Sequence, residues 1–209
     1  NYELKDFETA LVQLKKAEEI ALKLNSKADI GIIYNNLGAT LEKLNSHDEA
    51  IAVYLKAGDI FKDLNDELNY SISRLNYLTA ASKVCAENPQ KTNKSVRFIN
   101  EYKELIPVFK KYNISETMLC YINLADEFKK VKNFTESIFY LENADSLATN
   151  LNDLRSLGTI YAQKSQIYEL KGDVVNSLKA LKLHDAASDS LLSIDLSNSL
   201  ADIQTKYES

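Results

Sequence analysis

Apolar and small residues recur along this chain at helical spacing. Tyr34, Leu37, Gly38 and Leu41 fall three or four apart or adjacent, which places them on one face of a helix. After a short polar break, Ala50, Tyr54 and Ala57 mark one face of a second helix. Residue size explains the choice. Gly38, Ala50 and Ala57 let the two helices approach closely, and Tyr34 and Tyr54 fill the space beside them.

The pattern returns along the chain. Ala10, Leu14 and Ala17 stand 40 residues ahead of Ala50, Tyr54 and Ala57. Tyr121, Leu124, Ala125 and Phe128, followed by Ser137, Leu141 and Ala144, fit the same template. Tyr161, Ser165 and Tyr168, followed by Ser177, Leu181 and His184, fit it again 40 residues later. A weaker unit runs through Arg74, Tyr77, Leu78 and Ala81, then Ser95, Ile99 and Tyr102. A second marker gives the same frame. Leu-Asn followed by Ser or Asp occurs at Leu24-Asn25-Ser26, Leu64-Asn65-Asp66 and Leu151-Asn152-Asp153, at intervals of 40 and 87. The seven extra residues in the second interval place an insertion near Asn88–Asn93, a candidate contact loop. Asn tolerates the left-handed conformation that ends a helix, and Ser or Asp can cap the next one. The spacing predicts helices over 7–24, 28–44, 47–64, 68–87, 93–112, 115–131, 135–151, 154–171 and 174–190. A last helix over 194–207 carries the stripe Leu196, Leu200, Ile203 and Tyr207.

These residues resemble the tetratricopeptide repeat family, in a variant of about 40 residues against the usual 34 or so. The resemblance covers nearly the whole chain. It implies an all-α fold, a right-handed α-solenoid of antiparallel helix pairs forming a single domain over 1–209. The units are a partial repeat 1–26, repeats 27–66, 67–113, 114–153 and 154–193, and a closing helix 194–209. In this family the first helices of successive pairs line a concave face that takes a protein or peptide ligand. Their exposed positions here are Asn35, Asn36 and Lys43; Asn76, Thr79 and Lys83; Asn123, Asp126 and Lys130; and Gln163 and Gln166. An amide recurs at one frame position, Asn36, Asn76, Asn123 and Gln163. Two readings stand for it, hydrogen bonding between repeats and contact with a ligand backbone. The subclass that grips a C-terminal carboxylate needs a leading lysine, and that position holds Asn35, Leu75, Ile122 and Ala162. Chaperone tails are therefore not expected ligands.

Composition narrows the class further. Five Gly and two Pro are too few for a fold rich in sheets and turns. The net charge is −5, and Lys and Arg are dispersed, so no concentrated positive field is available for nucleic acid. No apolar run reaches the 18 or so residues of a membrane span. The chain begins at Asn1 and its single Met is Met118, which marks it as an excised piece of something longer. Cys85 and Cys120 fit neither a disulfide framework nor a zinc motif, and read as small apolar residues.

No catalytic constellation is present. The chain lacks a GxGxxG or phosphate-binding loop, a GxSxG elbow and an HExxH pair, so neither enzyme activity, cofactor nor metal is expected. Of the two histidines, His47 reads as an exposed residue of a turn. His184 takes a repeat position normally held by Ala and reads as packing against its partner helix. Glu18-Glu19 reads as solvated surface. Lys110-Lys111 and Lys129-Lys130 read as cations at helix C-termini, where the helix dipole favours them.

A narrower resemblance lies at the C-terminal end. Asp189-Ser190-Leu191 and the segment Ile203-Gln204-Thr205-Lys206-Tyr207-Glu208 resemble the region closing repeat arrays in bacterial sensor histidine kinases and related transcriptional regulators. That resemblance implies a sensor region, extracytoplasmic (periplasmic), with a membrane helix following it and a homodimer formed through the terminal helix. A cytoplasmic, free-standing scaffold is the alternative.

Overall fold

The computed structural model describes residues 2–87 and 94–207. Among the described residues it contains nine helices and no strand: α1 (Tyr2–Lys23), α2 (Lys27–Lys43), α3 (His47–Asp63), α4 (Glu67–Glu87), α5 (Ser95–Tyr112), α6 (Ile114–Lys130), α7 (Phe134–Leu151), α8 (Leu154–Leu170) and α9 (Val174–Tyr207). The chain forms two compact units, residues 1–116 and 117–209. The fold is an all-helical repeat of paired helices.

Six turns set the rhythm. Left-handed residues fall at Asn25, Asn45 and Asn65, then at Lys132, Asn152 and Gly172, with φ from 52° to 74°. Each series advances by 20 residues, half the repeat. The next amide then reaches back to close the helix end: Ser26 to Ala21 (3.1 Å), Ser46 to Leu41 (2.9 Å), Asp66 to Phe61 (2.9 Å), Asn133 to Phe128 (2.9 Å), Asp153 to Ala148 (2.9 Å) and Asp173 to Tyr168 (2.8 Å). This satisfies carbonyls that a helix end otherwise leaves unpaired. The side chains of Asp66, Asn133, Asp153 and Asp173 then cap the following helix, accepting from the amides of Asn69, Glu136, Ser156 and Asn176 at 3.0–3.3 Å. The expected Ser26 cap is not made. Neither Ser26 nor Ser46 accepts a side-chain cap bond, and the Ser26 hydroxyl is instead a donor to Asp29.

In the first unit, α2 and α3 interlock through glycine. A Cβ on Gly38 would lie 2.4 Å from the Tyr54 ring, and one on Gly31 would lie 2.7 Å from the Phe61 ring. The glycines and the rings are each seven residues apart, the register of an antiparallel pair. Leu41, Ala50, Tyr54 and Ala80 form a buried cluster, with Leu11, Ile51, Val53 and Tyr77 packed on it. In the second unit the buried Ser137 hydroxyl donates to the Ala125 carbonyl at 2.6 Å, joining α7 to α6. The Tyr140 ring stacks on Phe128 at 5.5 Å and meets Tyr121 at 5.7 Å. His184 faces its partner helix, with Nδ1 2.9 Å from the Gly158 carbonyl.

Three expectations need correction. The helices expected at 174–190 and 194–207 are one 34-residue helix, α9. Twenty residues beyond Gly172 stands Leu192, whose Cβ disfavours the left-handed conformation the earlier turns use, and neither Gly nor Pro interrupts the segment. The hydroxyls of Ser188, Ser190 and Ser199 donate to carbonyls four residues back, so they leave the helix intact. His47 is not an exposed turn residue. It opens α3, half-buried, with Nδ1 shielded and lacking a hydrogen-bond partner. The first helix begins at Tyr2, one turn and more ahead of residue 7.

Candidate binding surface

In the first unit the candidate residues lie on α2 and α4, which a three-helix polar link holds together. The Tyr54 hydroxyl on α3 donates to Glu42 Oε2 on α2 at 2.9 Å, and Lys83 Nζ on α4 donates to Glu42 Oε1 at 2.9 Å. Burial, reinforced by the Glu42 carboxylate, pushes the Tyr54 hydroxyl far above the usual phenol range, so it remains a donor. Lys83 is thus already engaged, although 54% of its side chain is exposed and its head can be reached. Asn36 and Lys43 are exposed, whereas Asn35, Asn76 and Thr79 are half-buried. The Thr79 hydroxyl donates to the Leu75 carbonyl at 2.9 Å, a bond within its own helix. Asn35 Oδ1 is shielded and has no hydrogen-bond partner.

In the second unit the candidates lie on α6 and α8. Asp126 pairs with Lys129 and Lys130, each at 2.9 Å, and Lys130 also pairs at 2.6 Å with Glu127, which is only 1% exposed. Lys129 Nζ continues to Gln166 Oε1 at 3.2 Å, so one lysine joins Asp126 on α6 to Gln166 on α8. Burial alone would raise the Asp126 carboxyl, but Lys129 and Lys130 outweigh it and hold it below the ordinary carboxylate range. For Lys130 burial acts downward, and Glu127 and Asp126 outweigh it to raise the ammonium. Asn123 and Gln163 are half-buried, Gln166 is exposed, and Gln163 Oε1 is shielded without a hydrogen-bond partner.

Sequence reasoning passed over Glu42 and Lys129, the two residues that tie neighbouring first helices together. Each stands one position ahead of a chosen lysine, Lys43 or Lys130. Lys129 carries more than the helix-end role assigned to it. Other features narrow the chemistry. Among the described residues no group of His, Cys, Asp and Glu is placed to hold a metal, and no helix is long and apolar enough to cross a membrane. Cys120 is buried and Cys85 half-buried, and no disulfide joins them. The insertion at 88–93 and the Ile203 and Tyr207 side chains lie outside the described residues.

Residues 32–66, the stretch holding Gly38, Glu42 and Tyr54, match the family model described as Tetratricopeptide repeat. Among solved structures the chain is similar to the one titled "Crystal structure of BtubC (BKLC) from P. vanneervenii". The TM-score is 0.72 with 17% sequence identity, covering 89% of this chain and 74% of that one. At that identity the likeness concerns the fold alone. Comparison with curated protein sequences finds no match.

Proposed function

We propose that this chain is a protein- or peptide-binding repeat domain whose ligand contacts lie on the first helices, α2 and α4 in one unit and α6 and α8 in the other. One observation carries the reading. Asn35 and Gln163 each hold a shielded amide oxygen with no hydrogen-bond partner. Such an oxygen costs about 1–3 kcal/mol while unsatisfied, and turning it outward to a ligand N–H sacrifices no internal bond. At Gln163, one of the recurring amides, this favours ligand contact over bonding between repeats, and Asn35 beside Asn36 offers a second such contact. A tetratricopeptide repeat generally mediates protein–protein interaction, and the match over 32–66 agrees with that role. Alanine at Asn35, Asn76 and Gln163 together should weaken capture of a given partner at least about tenfold, on the basis of one to two lost hydrogen bonds. Undiminished capture would move the contact surface elsewhere.

The finer reading is that the domain is the sensor or interaction region of a larger bacterial signalling protein, placed in the periplasm. Binding at the first helices shifts the packing of the pairs, and α9, which runs past the last pair, passes the shift outward or to a second copy. The exposed Leu192, Leu196 and Leu200, spaced four apart on α9, supply an apolar edge for that contact. The coding sequence on both sides is the test. A following membrane helix with a kinase or DNA-binding domain supports the sensor. A reading frame that ends soon after Ser209 leaves a free-standing scaffold instead.

A further inference from the structure

A cavity of 390 Å³ opens between α4 and α5, within the size range of ligand pockets. It lies away from the proposed contact row. At 3.6 residues per turn, its α4 residues Glu67, Ser71, Arg74 and Leu78 face roughly half a turn from Asn76, Thr79 and Lys83. Its apolar lining comes from Leu78 and Leu105, both buried, and from Val108. Three carboxylates, Glu67, Glu101 and Glu104, face Arg74 as the one cation in the lining. Arg74 bonds to Glu101, which also takes Arg97 at 2.7 Å. Lys111, on α5, acts on Glu67 only at a distance, and its ammonium lies over the Tyr112 ring at 4.5 Å. Glu67 and Glu104 are both exposed and leave the lining net negative. Tyr70 and Glu67 also line an adjoining cavity of 240 Å³ beside Phe61, where Asp66 is occupied in capping α4.

The geometry points to a socket for one basic side chain, lysine or arginine, of a partner polypeptide. An alkyl stem fits along Leu78, Leu105 and Val108, and the charged head meets Glu67 and Glu104 beside the Tyr70 ring. An anionic side chain is repelled there, and a neutral one of equal length leaves the carboxylates unpaired. The socket rests on the protein-binding reading only for the source of the side chain, and the two residues its test replaces, Glu67 and Glu104, lie outside the first-helix row.

The test is a backbone-amide NMR titration of the whole chain with the acetylated, amidated pentapeptide Ala-Ala-Lys-Ala-Ala, and with versions carrying norleucine or glutamate at the centre. The lysine peptide should give saturable shifts centred on residues 67–78 and 101–108. Glu67→Gln and Glu104→Gln should each weaken it, by up to about tenfold for one charge-assisted bond. Both residues are exposed, so the variants should fold, and their melting curves check this. Shifts elsewhere, equal shifts from the norleucine peptide, or unchanged affinity in both variants would overturn the socket. A stronger response to spermidine than to the lysine peptide would overturn its assignment to a polypeptide side chain.

Discussion

Replacing Gly38 by alanine sets two opposed effects against each other. Alanine is favoured over glycine inside a helix by about 1 kcal/mol, so α2 taken alone should gain. The added Cβ, however, would sit 2.4–2.7 Å from three atoms of the Tyr54 ring, where about 3.5–4.0 Å is the comfortable separation. Tyr54 is 2% exposed and its hydroxyl is held by Glu42, so the ring cannot swing clear. Overpacking of this kind costs about 1–3 kcal/mol and can exceed that when the neighbour is pinned. The net prediction is a loss of about 2 kcal/mol, or a melting temperature lower by about 4–8 °C for a chain of this size. Gly58→Ala is the matched control. Its Cβ would meet only Ser73 Cβ at an ordinary 3.7 Å, so the helix gain should survive and raise the melting temperature by about 2–4 °C. Circular dichroism melts of both variants give the two signs. A Gly38→Ala protein as stable as the parent would refute the close approach of α2 and α3. Pairing Gly38→Ala with Tyr54→Leu should cost less than the two single losses added together, because the smaller side chain frees the space.

Three further outcomes are expected. Asp153→Ala should cost about 1 kcal/mol, because Asp153 caps α8 through the Ser156 amide at 3.0 Å, whereas Ser46→Ala should cost little, since Ser46 makes no such bond; chemical denaturation of the two variants reads the contrast. Tyr54→Phe should lose about 1.5–3 kcal/mol through its bond to the Glu42 carboxylate, and Lys83→Ala less than about 1, because Lys83 is half exposed; the double variant in the same assay shows whether the bonds support each other. Asp126 is depressed in the folded state, so its contribution is present above the unfolded value of about 3.9 and lost as pH falls through the lower folded value. Asp126→Asn should therefore be less stable than the parent at pH 7, and the two denaturation midpoints should converge below about pH 4. A constant difference down to pH 2 would refute the lysine pairing.

Gly38, Ala50, Tyr54 and Ala57 were legible in the sequence because close helix packing leaves a size pattern at fixed spacing. Gly31 was not, since it lies ahead of the template's first position, Tyr34, and its partner Phe61 falls beyond the last, Ala57. The turn marker held more than was read from it. Leu44-Asn45-Ser46 is a further copy, and it halves the period to 20, the step that the left-handed residues follow. The repeat length wrongly called for a break after residue 190, where Leu192 disfavours the left-handed turn and α9 runs on unbroken. The sequence placed the candidate residues on α2, α4, α6 and α8 but gave no sign of their internal partners. Tyr54 with Glu42, Lys83 with Glu42, and Lys129 with Gln166 are joined across 12, 41 and 37 residues. Such pairings depend on how helices stack and rotate, which periodicity alone does not specify.

Site-specific photo-crosslinking in the native cell tests the binding surface most directly. A benzophenone side chain is placed in turn at the exposed first-helix residues Asn36 and Gln166, and at the exposed second-helix residues Leu55 and Phe139. Discrete adducts to another protein should form from Asn36 and Gln166, with little from Leu55 and Phe139. Adducts that form equally at all four positions, or chiefly at Leu55 and Phe139, would contradict the proposed surface.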